Sequence, residues 1–212
     1  MANILFLCHR LPYPPNKGDK VRSYHLLKHL SGNHNVHLGT FLDDPEDEHC
    51  IEALRPLCET MHVARLRQQT AQLRSLNGLL AGDPLTLRYF RDAELQDWVN
   101  NLCAHSRIDA AVVFCSSMAQ YVVGKARLPT IVDFVDVDSE KWRQYSAQSR
   151  WPMSWIYRRE SKLLGLYERQ LASLATRSFF VTDQERALFL RHAPECGIRV
   201  DVMQNGVDHQ YF

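Results

Sequence analysis

The sequence predicts an α/β protein built on a Rossmann-like doubly wound parallel sheet, for two reasons. Short, mainly apolar runs recur along it, clearest at residues 4–8, 108–115 and 130–135, the last two broken only by Asp109 and by Thr130 and Asp133. A run without polar alternation is what a parallel strand buried on both faces requires. Between these runs lie stretches with helical spacing of apolar residues, so strands and helices alternate along the chain instead of segregating.

The elements follow in order. The strand at 4–8 ends in a polar, proline-rich loop, 9–20, and a helix over 20–30 takes Asp19 as its N-cap and Val21, Tyr24, Leu27 and Leu30 as its apolar stripe. Ser31, Gly32 and Asn33 stop it. A strand at 36–42, a helix at 46–60, a strand at 61–66, a helical stretch from Gln68 and a helix at 92–105 come next. The strand at 108–115 is the strongest in the chain, and Ser117 and Gln120 after it have the spacing of a capping box. A strand at 130–135, a long helical region and a strand at 178–181 lead to a second box, Thr182 with Glu185. The last strand is 198–203, and Asn205-Gly206 marks a turn. Ligands of such sheets bind at the carboxyl ends of the strands, which singles out 9–20, 116–120, 133–140 and 182–185.

At 212 residues and 45% hydrophobic content, one α/β domain is expected. A formal charge of +1 supplies no basic field for nucleic acid. Six cysteines without a C-x-x-C pair point to a reduced, cytoplasmic protein. The N-terminal apolar run is only five residues long and runs into His9 and Arg10, unlike a signal peptide. No apolar run approaches the ~18 residues that span a bilayer. Charge is concentrated in one place: 141–169 carries seven Lys/Arg against Glu160 and Glu168, a net +5, together with Trp142, Trp151 and Trp155. Basic residues with interfacial aromatics suit docking on an anionic membrane, with Arg158 and Arg159 among the charges; the alternative is a helical arm whose aromatics are core.

The tail from Met203, with Asn205-Gly206-Val207-Asp208 and Phe212, resembles the "NGVD…F" segment of glycosyltransferase family 4, where the chain leaves the first Rossmann-like domain. The unit from Glu168 to Leu190 is similar to that family's preceding helix, strand and helix, and the opening from Ile4 to Leu30 to its first strand, loop and helix. With the stretch from Val132 to Trp142, the chain looks most like the sugar transferases of PEP-CTERM/exosortase exopolysaccharide systems. The resemblance implies the N-terminal half of a GT-B fold: an acceptor-side domain over 1–203, then, at 204–212, the crossing to a donor-binding domain that holds the nucleotide sugar. It implies a retaining transfer to a glycan or lipid-linked acceptor, no cofactor bound by this half, and no turnover by this half alone.

In the family the loop after the first strand faces the donor diphosphate. Gly18, just before a helix, suits close approach of phosphate to free N–H groups, with Lys17, Asp19 and Arg22 beside it. There is no G-x-G-x-x-G, so a Rossmann-type oxidoreductase loses its main support, and no phosphate-loop motif. His25/His29 and Cys58/His62 have helical spacing but lack further ligands for zinc. Ser116 and Ser117 lack a nucleophile elbow; Ser117 caps a helix, and either hydroxyl is a candidate for acceptor binding. Asp136, in the acidic group Asp133, Asp136 and Asp138, is the candidate catalytic carboxylate, since the family's loop here faces the reacting sugar. It either orients the acceptor or solvates the loop, while Asp138 caps the helix beginning near Ser139. A stand-alone sugar- or nucleotide-binding module is the other class open to the sequence.

Overall fold

The computed structural model describes residues 1–125 and 128–206. Its sheet has seven strands in the order β3-β2-β1-β4-β5-β6-β7, all parallel: β1 Asn3–Cys8, β2 Asn35–Leu42, β3 Thr60–Arg65, β4 Ala110–Phe114, β5 Thr130–Val135, β6 Arg177–Phe180 and β7 Val200–Val202. The helices are α1 Gly18–Ser31, α2 Ile51–Leu54, α3 Gln68–Ala81, α4 Leu85–Tyr89, α5 Ala93–His105, α6 Asp138–Gln148, α7 Met153–Leu174 and α8 Asp183–His192. The fold is the doubly wound Rossmann-like class that the alternation of runs predicts.

Two apolar layers hold it. Along β1, Leu5 and Leu7 join Leu95 and Val99 of α5 and Leu171 of α7 on one face. Ile4, Phe6 and Cys8 join Leu27 of α1 and Leu54 of α2 on the other. Successive side chains of a strand point to opposite faces, so a strand covered on both sides must be apolar throughout. Gly39 in β2 is required by packing: a Cβ there would meet a side-chain carbon of Leu7 at 2.6 Å and one of Trp98 at 3.1 Å.

Several local expectations are corrected. The helix expected at 46–60 is three pieces, a 3-10 turn Pro45–Cys50, α2, and a 3-10 turn Arg55–Leu57, because Pro56 lacks an N–H and its ring clashes with a continuing helical backbone. The N-cap of α1 is Lys17, with no side-chain cap bond, and Asp19 lies in the first turn. The box after β4 does not form: Ser116–Tyr121 is a 3-10 helix without a side-chain cap, and Gln120 donates to the carbonyls of Ser117, Leu87 and Phe90. At α8, Thr182 does accept from the Glu185 N–H, but Glu185 turns away to accept from Val137 N–H at 2.7 Å. Asp138 is not the cap of α6; Val137 is. Of the expected crossing at 204–212, residues 207–212 lie outside the described residues.

Candidate functional site

At the carboxyl ends of the strands lies a cavity of about 560 Å³, lined by residues following β1, β4 and β5. β1 and β4 are neighbours, and the sheet winds away from them in opposite directions. That is a topological switch point, where diverging loops leave a crevice and ligands of this fold class bind. A larger groove of about 980 Å³ runs along α1 and segment 203–206, and includes neither His9 nor Arg10 at the end of β1 nor any residue at the ends of β4 and β5. Size favours the groove, but topology and chemistry favour the cavity.

Phe114 and Phe134 form buried parts of the cavity lining. Three cations, Arg10, Lys17 and Lys141, and three carboxylates, Asp19, Asp136 and Asp138, also line it, beside Trp142 and Tyr145. An apolar lining with a few convergent polar groups is the composition of a small-molecule site.

Backbone strain is concentrated here. Cys115 and Val135, both in the lining, have φ of 77° and 68°. For a β-branched residue such as Val135 a positive φ is a genuine outlier, costing on the order of 1–3 kcal/mol, and such residues cluster at ligand sites. The neighbourhood holds them: Cys115 N–H donates to Asp133 O at 2.8 Å, and Val181 N–H donates to Val135 O at 2.8 Å. The Cys115 thiol is pushed up to about 12 by burial and by Asp138, so it is not a thiolate nucleophile near neutral pH.

His9, the first residue after β1, sits against Phe114 with parallel rings 6.0 Å apart and edge-on to Phe90 at 5.7 Å. Its Nε2 is 3.6 Å from Asp19 Oδ2, just beyond hydrogen-bond distance. Asp19 is also 3.0 Å from Arg10, which in turn pairs with Asp43 at 3.0 Å. The imidazole of His9 and the guanidinium of Arg10 hold the Asp19 carboxyl well below its usual range. His9 Nδ1 and Thr86 Oγ1 are buried polar atoms without a protein partner, and both residues line the cavity. Buried orphans of this kind are rare in native proteins and call for an explanation.

Two buried glutamates on α7 fix opposite parts of the lining. Glu160 accepts from Leu85 N–H at 2.6 Å and Thr86 N–H at 2.9 Å, at the start of α4. Glu168 accepts from Ser139 N–H at 3.1 Å and its hydroxyl at 2.5 Å, at the start of α6. Burial pushes the Glu168 carboxyl up to about 8. A carboxyl that holds its proton more tightly when folded makes stability fall as pH rises from its ordinary value of 4.5 through about 8. Glu168→Gln, which keeps an acceptor for Ser139, is expected to flatten the fall in urea midpoint between about pH 5 and 8. An unchanged pH profile would show that Glu168 is ionised throughout.

The structure sorts the sequence candidates. Lys17, Asp19 and Asp136 line the cavity; Asp136 pairs with Lys141 at 2.8 Å, and Lys141 also reaches Asp138 at 3.3 Å. Gly18 opens α1 but lies on the groove, and a Cβ there would meet nothing within 4 Å. Arg22 is not free for phosphate. Its side chain is 7% exposed against Asp133 at 2.7 Å, and it also donates to Met203 O and Asn205 Oδ1. Ser116 and Ser117 are both 0% exposed and absent from the cavity lining, because the positive φ of Cys115 turns the chain inward after β4. His9, Thr86 and Tyr145 are not candidates in the sequence reading, where the position of His9 directly after the first strand is the available signal, and Trp142, read there as an interfacial aromatic, lines the cavity instead.

In 141–169, Trp151 and Trp155 are 82% and 55% exposed, so they are not core, whereas Trp142 belongs to the cavity. Arg159 donates to the carbonyls of Gly78 and Asp83, and Arg143 and Arg169 pair with Glu140 and Glu195. Arg150 and Arg158 are exposed and belong to no ion pair among the described residues. None of the helices among those residues is long and apolar enough to cross a membrane.

No family model matches the chain, and no curated protein matches it. Among solved structures it is similar to the N-terminal domain of Candida albicans trehalose-6-phosphate phosphatase, with a TM-score of 0.52 and 16% identity, over 100% of this chain and 50% of that one. The chain thus spans half the length of that structure, and a likeness at this identity is one of fold.

Proposed function

We propose that this chain is the acceptor-side half of a retaining GT-B glycosyltransferase of family 4, which moves a sugar from a nucleotide-sugar donor to a glycan or lipid-linked acceptor in exopolysaccharide assembly. The observation that carries the reading is the switch-point cavity, where Asp136, Lys141 and two aromatic side chains meet beside the start of α1. In this reading the acceptor occupies that cavity, and a second domain, reached through residues 204–212, brings the donor against it. Asp136 orients the acceptor hydroxyl or stabilises positive charge developing on the sugar; its pairing with Lys141 keeps it in place. Lys17 and the first turn of α1 face the donor phosphates, which the positive end of a helix favours.

The test compares two chains. Transfer needs both substrates held at near-attack distance, so the 212-residue chain should fold and not turn over, while a chain carrying a donor-binding half should transfer sugar from one of a panel of nucleotide sugars. Transfer by the 212-residue chain alone would refute the two-half architecture. A second reading, a stand-alone sugar- or nucleotide-binding module, is favoured by a cavity that this one domain lines by itself; it predicts ligand binding and no transfer in either form.

The lipid-linked acceptor extends the proposal to peripheral attachment at the cytoplasmic face of the membrane. The turn between α6 and α7 and the start of α7 present exposed Trp151, Met153 and Trp155 beside Arg150 and Arg158. Interfacial aromatics with unpaired cations bind anionic bilayers, each cation contributing about 1 kcal/mol. The chain is expected to float with phosphatidylserine-rich liposomes at low salt, and Arg150→Glu with Arg158→Glu to abolish this. Arg159 is the wrong residue for that test, since its loss would free two backbone carbonyls. Flotation indifferent to the charge reversal would remove the membrane from the proposal.

A further inference from the structure

The cavity has an aromatic corner on α6 that none of the roles above uses. Trp142 and Tyr145, both in the lining, stand nearly perpendicular, 82° between planes with centroids 5.9 Å apart. Tyr157 of α7 is outside the lining and packs on both, 5.3 Å from Trp142 and 6.2 Å from Tyr145. Tyr145 nevertheless stays 51% exposed. A large aromatic left open at a cavity, and braced from behind, is a surface held ready for an apolar face.

Around the corner the polar groups are of both kinds. Asp136 and Asp138 accept, Lys141 between them donates, and the orphan atoms His9 Nδ1 and Thr86 Oγ1 belong to other lining residues. We propose that this corner is a pyranose subsite, in which one sugar ring lays its C–H face on Trp142 or Tyr145 and directs its hydroxyls to Asp136, Asp138 and Lys141. Resting on the acceptor-side reading, this assigns Trp142 and Tyr145 as the residues that select a pyranose for the cavity.

Three features favour a sugar over a nucleobase. A base stacks best between or upon parallel planes, whereas these rings meet at close to a right angle. A pyranose is thicker than a base and meets a corner on one face and one edge. Its hydroxyls each donate and accept, which matches carboxylates interleaved with an ammonium; the carboxylates also disfavour the phosphate of a nucleotide at this wall.

The experiment follows the indole N–H resonances of the chain in ¹H–¹⁵N spectra, with Trp142→Phe assigning Trp142 among the four tryptophans. The probes are the methyl glycosides of glucose, galactose, mannose and N-acetylglucosamine, with adenosine 5′-monophosphate as the base. The expected result is saturable movement of the Trp142 signal with at least one glycoside and none at Trp151, whose signal Trp151→Phe assigns. Tyr145→Ala, a change at an exposed side chain, should weaken that binding about tenfold, the scale of one aromatic contact. No saturable movement with any glycoside, or movement with the nucleotide alone, overturns the proposal. Transfer activity of a chain with a donor half is read separately. Transfer without a Trp142 response removes the corner and leaves the transferase, while a Trp142 response without transfer does the reverse.

Discussion

Asp136→Asn in a chain that carries the donor-binding half is expected to lower kcat by a factor on the order of 10² or more, with little change in stability. The two halves of that expectation have separate causes. Asp136 lines the switch-point cavity at the end of β5, in a loop held by strained Val135 and by its own N–H, which donates to Phe134 O at 2.9 Å. A positioned carboxylate is worth this much only if it keeps its charge and its place, and Asn keeps the shape while losing the charge. The stability cost is small because the ion pair it gives up is part-exposed, 36% for Asp136 and 47% for Lys141, and such pairs contribute at most about 1 kcal/mol. Lys141→Met separates the two roles of the pair: it releases Asp136 without neutralising it. A smaller loss of kcat in Lys141→Met than in Asp136→Asn is the result expected if the carboxylate itself meets the substrate. Near-wild-type kcat in Asp136→Asn would return this residue to the solvated loop.

Arg22→Ala should unfold the domain far more readily, by about 3–5 kcal/mol in urea melts. Its partner, Asp133, is 1% exposed in the middle of the sheet, and Arg22 grips it with Nε at 2.7 Å and one terminal nitrogen at 3.1 Å. Removing the cation leaves a buried carboxylate with no compensating charge. Burial alone already raises the Asp133 carboxyl, with Arg22 opposing, so the variant should take up a proton there and lose less stability at acidic pH. Arg22→Lys cannot restore a two-point grip with a single ammonium and should recover only part. Replacing both partners, Arg22→Met with Asp133→Leu, should recover more than either single change, because it removes the desolvated charges together. A loss below about 1 kcal/mol in Arg22→Ala would mean that water reaches Asp133. The same substitution frees Met203 and Asn205, so it should also loosen the segment that leads into residues 207–212.

The sheet was legible in the sequence because burial is a local, repeating property. Each of the runs at 4–8, 36–42, 108–115 and 130–135 is mainly apolar, with His37, Thr40, Asp109, Thr130 and Asp133 as the polar exceptions, and the structure places a strand over each of them. Failures came where a local rule competed with a distant partner. Asp19 has the chemistry of an N-cap, yet Arg10 and His9 draw its carboxylate away. Glu185 sits at capping-box spacing, yet Val137, 48 residues away, takes its carboxylate. Ser117 and Gln120 share that spacing, but the turn at Cys115 buries both serines.

The site divides in the same way. That ligands belong at the carboxyl ends of the strands, and that Lys17, Asp19 and Asp136 stand there, follows from their chain positions after the strands of a parallel sheet, which the alternation of runs already implies; the strand order that puts the switch point between β1 and β4 does not. The tertiary structure decided that Arg22 serves Asp133 across 111 residues, that Glu160 and Glu168 of one helix hold the starts of two others, and that His9, Thr86 and the Trp142–Tyr145 corner face the same cavity. Periodicity records which side of an element is buried, but an ion pair, a cap from a remote helix or a cavity wall depends on which elements the register and crossovers bring within a few ångströms of one another. No window of local sequence contains that distance.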